Sequence, residues 1–197
     1  TSPNPILLLS EPGLLSVKTS MVPTWPAFTP AKVDEYMLWF LGSHEAKKHQ
    51  TLIWDSASQS HEQRIEAELM GGNKTGGDAH GKRAYGVANR WMMGHLNSLY
   101  FMPQKHIVLI TKQENFEING GIYKRPFFSG KELPVRVPHL YDFVLQLGNF
   151  NIPGVVPSPT KAFMCQEQFD AQARARTGDL AMYEPPDISK IIAKAMA

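Results

Sequence analysis

Apolar residues in this chain fall into short unbroken runs and into helical stripes, with clusters of proline and glycine between them. Ile6 to Leu9 is one such run, closed by Ser10-Glu11-Pro12-Gly13, and reads as a strand followed by a turn. Thr51-Leu52-Ile53-Trp54-Asp55 is a second run and ends in an acid, with Ser56 next. His106 to Thr111 is a third, too uniformly apolar for a strand with one wet face, and Tyr141 to Leu147 a fourth. Ile107 to Thr111 and Phe143 to Leu147 are expected beside Thr51 to Asp55 in one sheet. Between the runs the period lengthens to that of a helix. Pro30 to Leu41 carries Val33, Tyr36, Met37, Phe40 and Leu41 on one face, with Thr29 as cap and Pro30 in the first turn. His61 to Met70 reads as a polar helix. Tyr85 to Tyr100 reads as a longer one, with Val87, Trp91, Leu96 and Leu99 inward and Pro103 as its stop.

Continuous apolar strands separated by helices imply an α/β fold with a mostly parallel sheet flanked by helices, covered on both faces. Ligands of such sheets bind at the carboxyl ends of the strands. Glu114 to Pro138 is a long excursion with a hairpin turn at Asn119-Gly120-Gly121. Lys161 to Arg176 is expected to mix strand and helix, and Asp187 to Met196 to be a terminal helix started by Asp187. The Gly-rich stretch Gly71 to Gly81 is expected to be mobile. Pro23, Pro26 and Pro30 punctuate a loop, and Pro153, Pro157 and Pro159 another. The expected organisation is a core over 1–184 followed by a C-terminal helix over 185–197.

Composition narrows the function classes only modestly. A net charge of +2 is too small to imply a nucleic-acid partner, so that argument must rest on local clustering. A single cysteine, Cys165, excludes an intrachain disulfide and fits a reducing cytoplasm. No apolar stretch approaches the roughly 18 residues that span a bilayer. The histidines show no zinc-ligand spacing, no Gly-x-Ser-x-Gly elbow is present, and Cys165 has no activating neighbour in sequence. Gly76 to Arg83 nearly spells a phosphate loop, but it follows a polar helical segment rather than a buried strand, and Arg83 stands where a Mg²⁺-ligating Ser or Thr belongs.

The candidate chemistry gathers at the strand ends. Asp55 can organise the water shell of a Mg²⁺ bound to a nucleoside triphosphate, with Ser56 adding a hydrogen bond; equally, it can cap the following turn. Glu11 can orient or deprotonate an attacking water, or simply belong to a Pro-Gly turn. Lys112-Gln113-Glu114 ends the strand that begins at Ile107, where a polar side chain can sense a γ-phosphate or be ordinary solvated surface. In the excursion beyond, Phe116, Tyr123, Phe127 and Phe128 alternate with Lys124, Arg125 and Lys131. Exposed rings stack on unpaired bases at about 1–3 kcal/mol each while cations follow the phosphates. The opposing reading makes these rings a local core with a charged rim.

The order of these parts resembles the phage RecA-like ATPases of the P-loop superfamily that promote single-strand annealing. Pro5 to Leu14 resembles their second strand with its Glu-x-Gly turn, and Thr51 to Ser56 their Walker B strand. Arg83-Ala84-Tyr85-Gly86 and Lys105 to Val108 resemble the approach to their next strand. Ser129 to Leu133 with Tyr141 to Leu145 resembles the return from their mobile loop, and Ala173 to Gly178 a basic segment near their C-terminal end. The resemblance implies a RecA-like P-loop core, ATP and Mg²⁺ as cofactors, and single-stranded DNA as partner. By position it makes Asp55 the Mg²⁺-organising acid with Ser56, Glu11 the base, and Gln113 the nucleotide sensor with Lys112 as rival. Glu114 to Lys131 becomes the DNA-contacting loop. It further implies a homo-oligomeric ring or filament, a phage single-strand-binding protein as a second partner, and the cytoplasm of the host cell. Members of that family begin with a strand and a Gly-Lys-Thr/Ser loop, so residues are expected to precede Thr1 in the native protein. The alternative is a non-catalytic nucleic-acid-binding or assembly protein on the same scaffold.

Overall fold

The computed structural model describes residues 2–13, 21–71, 77–102, 104–168, 171–177 and 179–196. They divide into two compact units, one of 3–112 with 127–137, the other of 113–126 with 138–197 and the first two residues.

The first unit is a mixed α/β body around a four-stranded sheet of order β2-β1-β3-β4, with β1 Pro5–Leu9, β2 Thr24–Pro26, β3 Thr51–Asp55 and β4 His106–Ile110. All three pairings are parallel. The central strands are the most apolar: Ile6, Leu7, Leu8 and Leu9 on β1 and Leu52 and Trp54 on β3 are buried. This is the double-sided burial that continuous apolar runs predict. β4 departs from its expectation. Among the described residues it has one strand neighbour, and its residues are partly exposed, Ile110 at 41%. β2 lies where sequence suggested only a loop. It is an edge strand, so the missing N–H of Pro26 costs no ladder bond, and Leu7 N donates to Pro23 O at 2.9 Å.

Helices α1 Pro30–Gly42, α2 Ala57–Gly71 and α3 Gly77–Tyr100 flank this sheet. α1 starts as expected: Thr29 Oγ1 accepts from Lys32 N, and Pro30 occupies the first turn. Val33, Tyr36, Met37 and Phe40 are buried, but Leu41 is 41% exposed and lies off the stripe. α3 buries Ala84, Ala88, Met92, Leu96 and Leu99, with Val87 and Trp91 only half-buried. Residues 77–81 are its first turns, and 72–76 lie outside the described residues, as does Pro103. The near-phosphate loop is therefore helical over its described part, consistent with its rejection. A short helix, α4 Leu133–Arg136, closes the unit's second segment. No helix among the described residues is long and apolar enough to cross a membrane.

In the second unit β5 Gln113–Ile118 and β6 Gly121–Pro126 form the expected antiparallel hairpin. Asn119 and Gly120 turn it with φ of 52° and 78°, the left-handed pair that two-residue hairpins require. The strand expected over Tyr141 to Leu147 does not join the parallel sheet. Phe143–Val144 (β7) pairs antiparallel with Arg174–Ala175 (β10), and Gln146–Phe150 (β8) pairs antiparallel with Thr160–Met164 (β9), which also carries Tyr183–Glu184 (β11). The cause is visible in residues 146–150, which alternate between half-buried and exposed, the habit of an antiparallel strand with one wet face. No helix occurs among the described residues of 161–176. The terminal helix α5 Ile188–Ala195 starts as expected, with Asp187 accepting from Ser189 N at 3.0 Å. Its Ile191 packs with Cys165 and Leu180 in a core bordered by Phe143, Leu145 and Phe163.

Candidate functional site

Register brings the acid-bearing strand ends together. Leu9 lies opposite Asp55, and Asp55 opposite Ile110, so Ser10-Glu11, Asp55-Ser56 and Thr111-Lys112 leave the sheet along one edge. Ser56 Oγ donates to Glu11 Oε1 at 2.5 Å and accepts from Gln59 N at 3.2 Å. One hydroxyl thus caps α2 and ties β3 to the turn after β1. The Asp55–Ser56 peptide is cis. Among the described residues neither Glu11 nor Asp55 has a cationic ion-pair partner. Burial, and then the charge of Glu11, push the Asp55 carboxyl above its ordinary range.

A buried polar network fixes these ends from behind. Trp54 Nε1 donates to Ser60 Oγ at 2.9 Å, and Ser60 Oγ donates to Ser10 Oγ at 2.6 Å. Ser10 N donates to Asp55 O at 2.6 Å, and Gln63 Nε2 to Ser10 O at 3.1 Å. Ser10 and Ser60 are fully buried. Sequence reasoning passed over Ser10, Ser58, Ser60 and Gln63. The available signal was three serines within Asp55-Ser56-Ala57-Ser58-Gln59-Ser60. Serine is a weak helix interior residue, and its repetition in the first turns of a helix marks hydroxyls in use.

The donor chemistry suits a hydrated Mg²⁺. Asp55, Glu11 and Ser56 offer oxygen only, and Mg²⁺ characteristically takes one or two carboxylates while keeping several waters. Among the described residues no group of three or more His, Cys, Asp or Glu is placed to form an all-protein metal cage.

The remaining expected site residues are dispersed. Lys112 is committed to α2: its Nζ donates to Gln59 Oε1 and Glu62 Oε2, both at 2.7 Å. Gln113 begins the second unit, where its Oε1 accepts from Gln146 Nε2 at 2.9 Å. On the hairpin, Arg125 pairs with Glu114 at 2.6 Å and lies 4.0 Å over the Phe116 ring, which Tyr123 meets edge-on at 5.3 Å. The Tyr123 hydroxyl donates to Glu167, and Lys124 O accepts from Gln172 N at 2.8 Å. The expected stacking surface is therefore partly a self-contained aromatic–cation cluster. Phe128 corrects the expectation outright: it is 1% exposed and meets His61 edge-on at 5.9 Å, so it is core rather than a base platform. Phe127 is half-buried, and Lys131 is exposed. The basic segment also serves as scaffold, with Arg174 donating to Pro138 O and Tyr141 O, and Arg176 to His139 O and Asp142.

Two histidines in the first unit are expected to give it a pH response. His61 is fully buried and meets Asn89 Oδ1 at 3.0 Å; His95 meets Asp34 Oδ1 at 2.8 Å, which also accepts from Trp91 Nε1 at 2.6 Å. Burial is the leading cause that holds both below the ordinary value of 6.5, against the upward pull of these partners. The unfolded chain therefore takes up these protons first. Their contribution is complete above about pH 6.5 and is lost as pH falls from there toward the lower folded values. Urea unfolding is expected to show lower stability near pH 5.5 than near pH 7.5, with a shallower difference in His61→Gln. An equal slope in that variant rejects the assignment to His61.

The chain matches no family model, no curated protein and no solved structure.

Proposed function

We propose that the chain is a Mg²⁺- and ATP-dependent ATPase with a RecA-like core, acting on single-stranded DNA as a homo-oligomer. One observation carries the reading: two carboxylates, Glu11 and Asp55, leave adjacent parallel strands at their carboxyl ends, joined through Ser56 and without a cationic partner among the described residues. Open parallel sheets bind their ligands at that edge. In this proposal Asp55 and Ser56 would hold the water shell of a Mg²⁺, which when bound would supply charge compensation for phosphoryl transfer. Glu11 receives the proton of the attacking water through the oxygen that Ser56 leaves unengaged. Among the described residues no glycine-rich loop joins a strand to a helix, so the reading concerns the acidic half of a nucleotide site. The exposed Lys131 and the hairpin from Glu114 to Arg125 are the proposed DNA-facing parts, and Gln113 remains the proposed sensor.

The test is Mg²⁺-dependent ATP hydrolysis with and without single-stranded DNA. Glu11→Gln is expected to retain Mg²⁺-dependent ATP binding and to lose turnover by about a hundredfold or more, the scale of a general base. Wild-type protein that neither binds nor hydrolyses ATP with Mg²⁺, or a Glu11→Gln variant of normal turnover, ends the proposal. Single-strand binding without any turnover supports the alternative, a non-catalytic binder.

A further inference from the structure

Lys112 and Phe127, the first-unit residues that form the root of the β5–β6 hairpin, are fastened to the first turns of α2, the helix that begins directly after Asp55-Ser56. The last hairpin pair is Gln113 with Pro126, which makes Lys112 and Phe127 the next rung. In an antiparallel ladder these two residues exchange two N–H···O bonds or none. Here one bond is made directly, Phe127 N to Lys112 O at 2.8 Å. The other is interrupted: Lys112 N donates to Ser58 Oγ at 3.0 Å, and Ser58 Oγ donates to Phe127 O at 2.6 Å. A buried serine hydroxyl has entered the rung and completes it. Neighbouring contacts hold both chain segments to the same helix. Lys112 Nζ binds Gln59 and Glu62, and Phe128 packs on His61.

The same turn of α2 is fixed to the carboxylates. Ser56 Oγ accepts from Gln59 N while donating to Glu11, and Ser60 N donates to Ser56 O at 3.2 Å. We propose that Ser58 is a positioning residue that couples the charge of the Glu11–Asp55 pair to the hairpin root, through the hydroxyl inserted between Lys112 and Phe127. Neutralising the pair relaxes the Asp55–Ser56 end, α2's first turn follows, and the rung opens or tightens with it. A rung that can be bridged by a hydroxyl or closed directly is an element with two arrangements, which coupling requires. The inference rests on the carboxylate pair being the ligand site proposed above, and it names how occupancy is relayed.

The experiment is amide hydrogen exchange at Lys112 and Phe127 in wild type, Asp55→Asn, Ser58→Ala and the double variant, without nucleotide. Asp55→Asn removes one of the pair's two carboxylates and so lowers its charge. It is expected to change exchange at the root by at least about threefold in the Ser58 protein, within the coupling seen for residues of one hydrogen-bonded network. In the Ser58→Ala background that change is expected to vanish. Ser58→Thr keeps the hydroxyl and is expected to retain it, which a purely space-filling role does not predict. The same change in both backgrounds, no change in either, or its loss in folded Ser58→Thr overturns the coupling. Failure of the ATPase reading shows separately, as absent Mg²⁺-dependent hydrolysis alongside an intact exchange cycle.

Discussion

Asp55→Asn is expected to abolish Mg²⁺-dependent hydrolysis while making the protein more stable at neutral pH. The two effects share a cause. The folded chain holds Asp55 half-buried beside Glu11, and both burial and that neighbouring charge oppose its ionised form. A carboxyl raised in the fold contributes a cost at every pH above its folded value, and the cost disappears as pH falls below the ordinary value of 3.8. Asparagine removes the charge and keeps the shape. The stabilisation expected is about 1 kcal/mol, the usual scale for relieving a site kept for function. Hydrolysis is expected to fall by about a hundredfold or more, since several kcal/mol of charge stabilisation depend on a correctly held metal. Urea unfolding without metal or nucleotide gives the first quantity, and an ATPase assay gives the second. A destabilised variant of normal turnover contradicts both parts.

Trp54→Ala is expected to be the most damaging single change in the first unit. Trp54 is completely buried on β3, and its indole N–H feeds the Ser60–Ser10 pair. Removing a buried indole costs about 3–5 kcal/mol through lost contact and the cavity left behind. Trp54→Phe separates packing from polarity: it keeps a ring and deletes the donor, so its expected cost is about 1–3 kcal/mol, from the smaller ring and the unmet acceptor at Ser60. Chemical denaturation of the two variants measures the split. Equal costs for phenylalanine and alanine show that the hydrogen bond, not the ring, is what the position supplies.

The first unit was legible where one local signal dominated. Thr51 to Asp55 could be read to the residue because its apolar run is bounded by a polar turn and by an acid, and Pro30 because a threonine cap and an N1 proline mark one start. The Asn119-Gly120 turn announced itself through residues that accept positive φ. Other features depended on distant partners. Nothing in Thr24-Trp25-Pro26 declares a strand until β1 is present to pair with it. Phe143 is apolar enough for either sheet, and its partner Ala175 decides. Phe128 and Arg125 looked like neighbours in one binding loop. Phe128 is claimed by His61 and the core, while Arg125 is claimed by Glu114 and Phe116. The pairing of Glu11 with Asp55 across adjacent strands could be anticipated as strand-end chemistry, but the role of Ser56 between them required register.

The Arg125–Glu114 pair alters what the hairpin presents to a visiting polyanion. A guanidinium that already has a resident carboxylate must exchange one anion for another, so recognition there is a competition rather than a simple capture. Raising ionic strength loosens the resident pair and the incoming one together. Any attraction of a polyanion to this hairpin is therefore expected to be gentler, and less sensitive to salt, than its content of basic residues suggests.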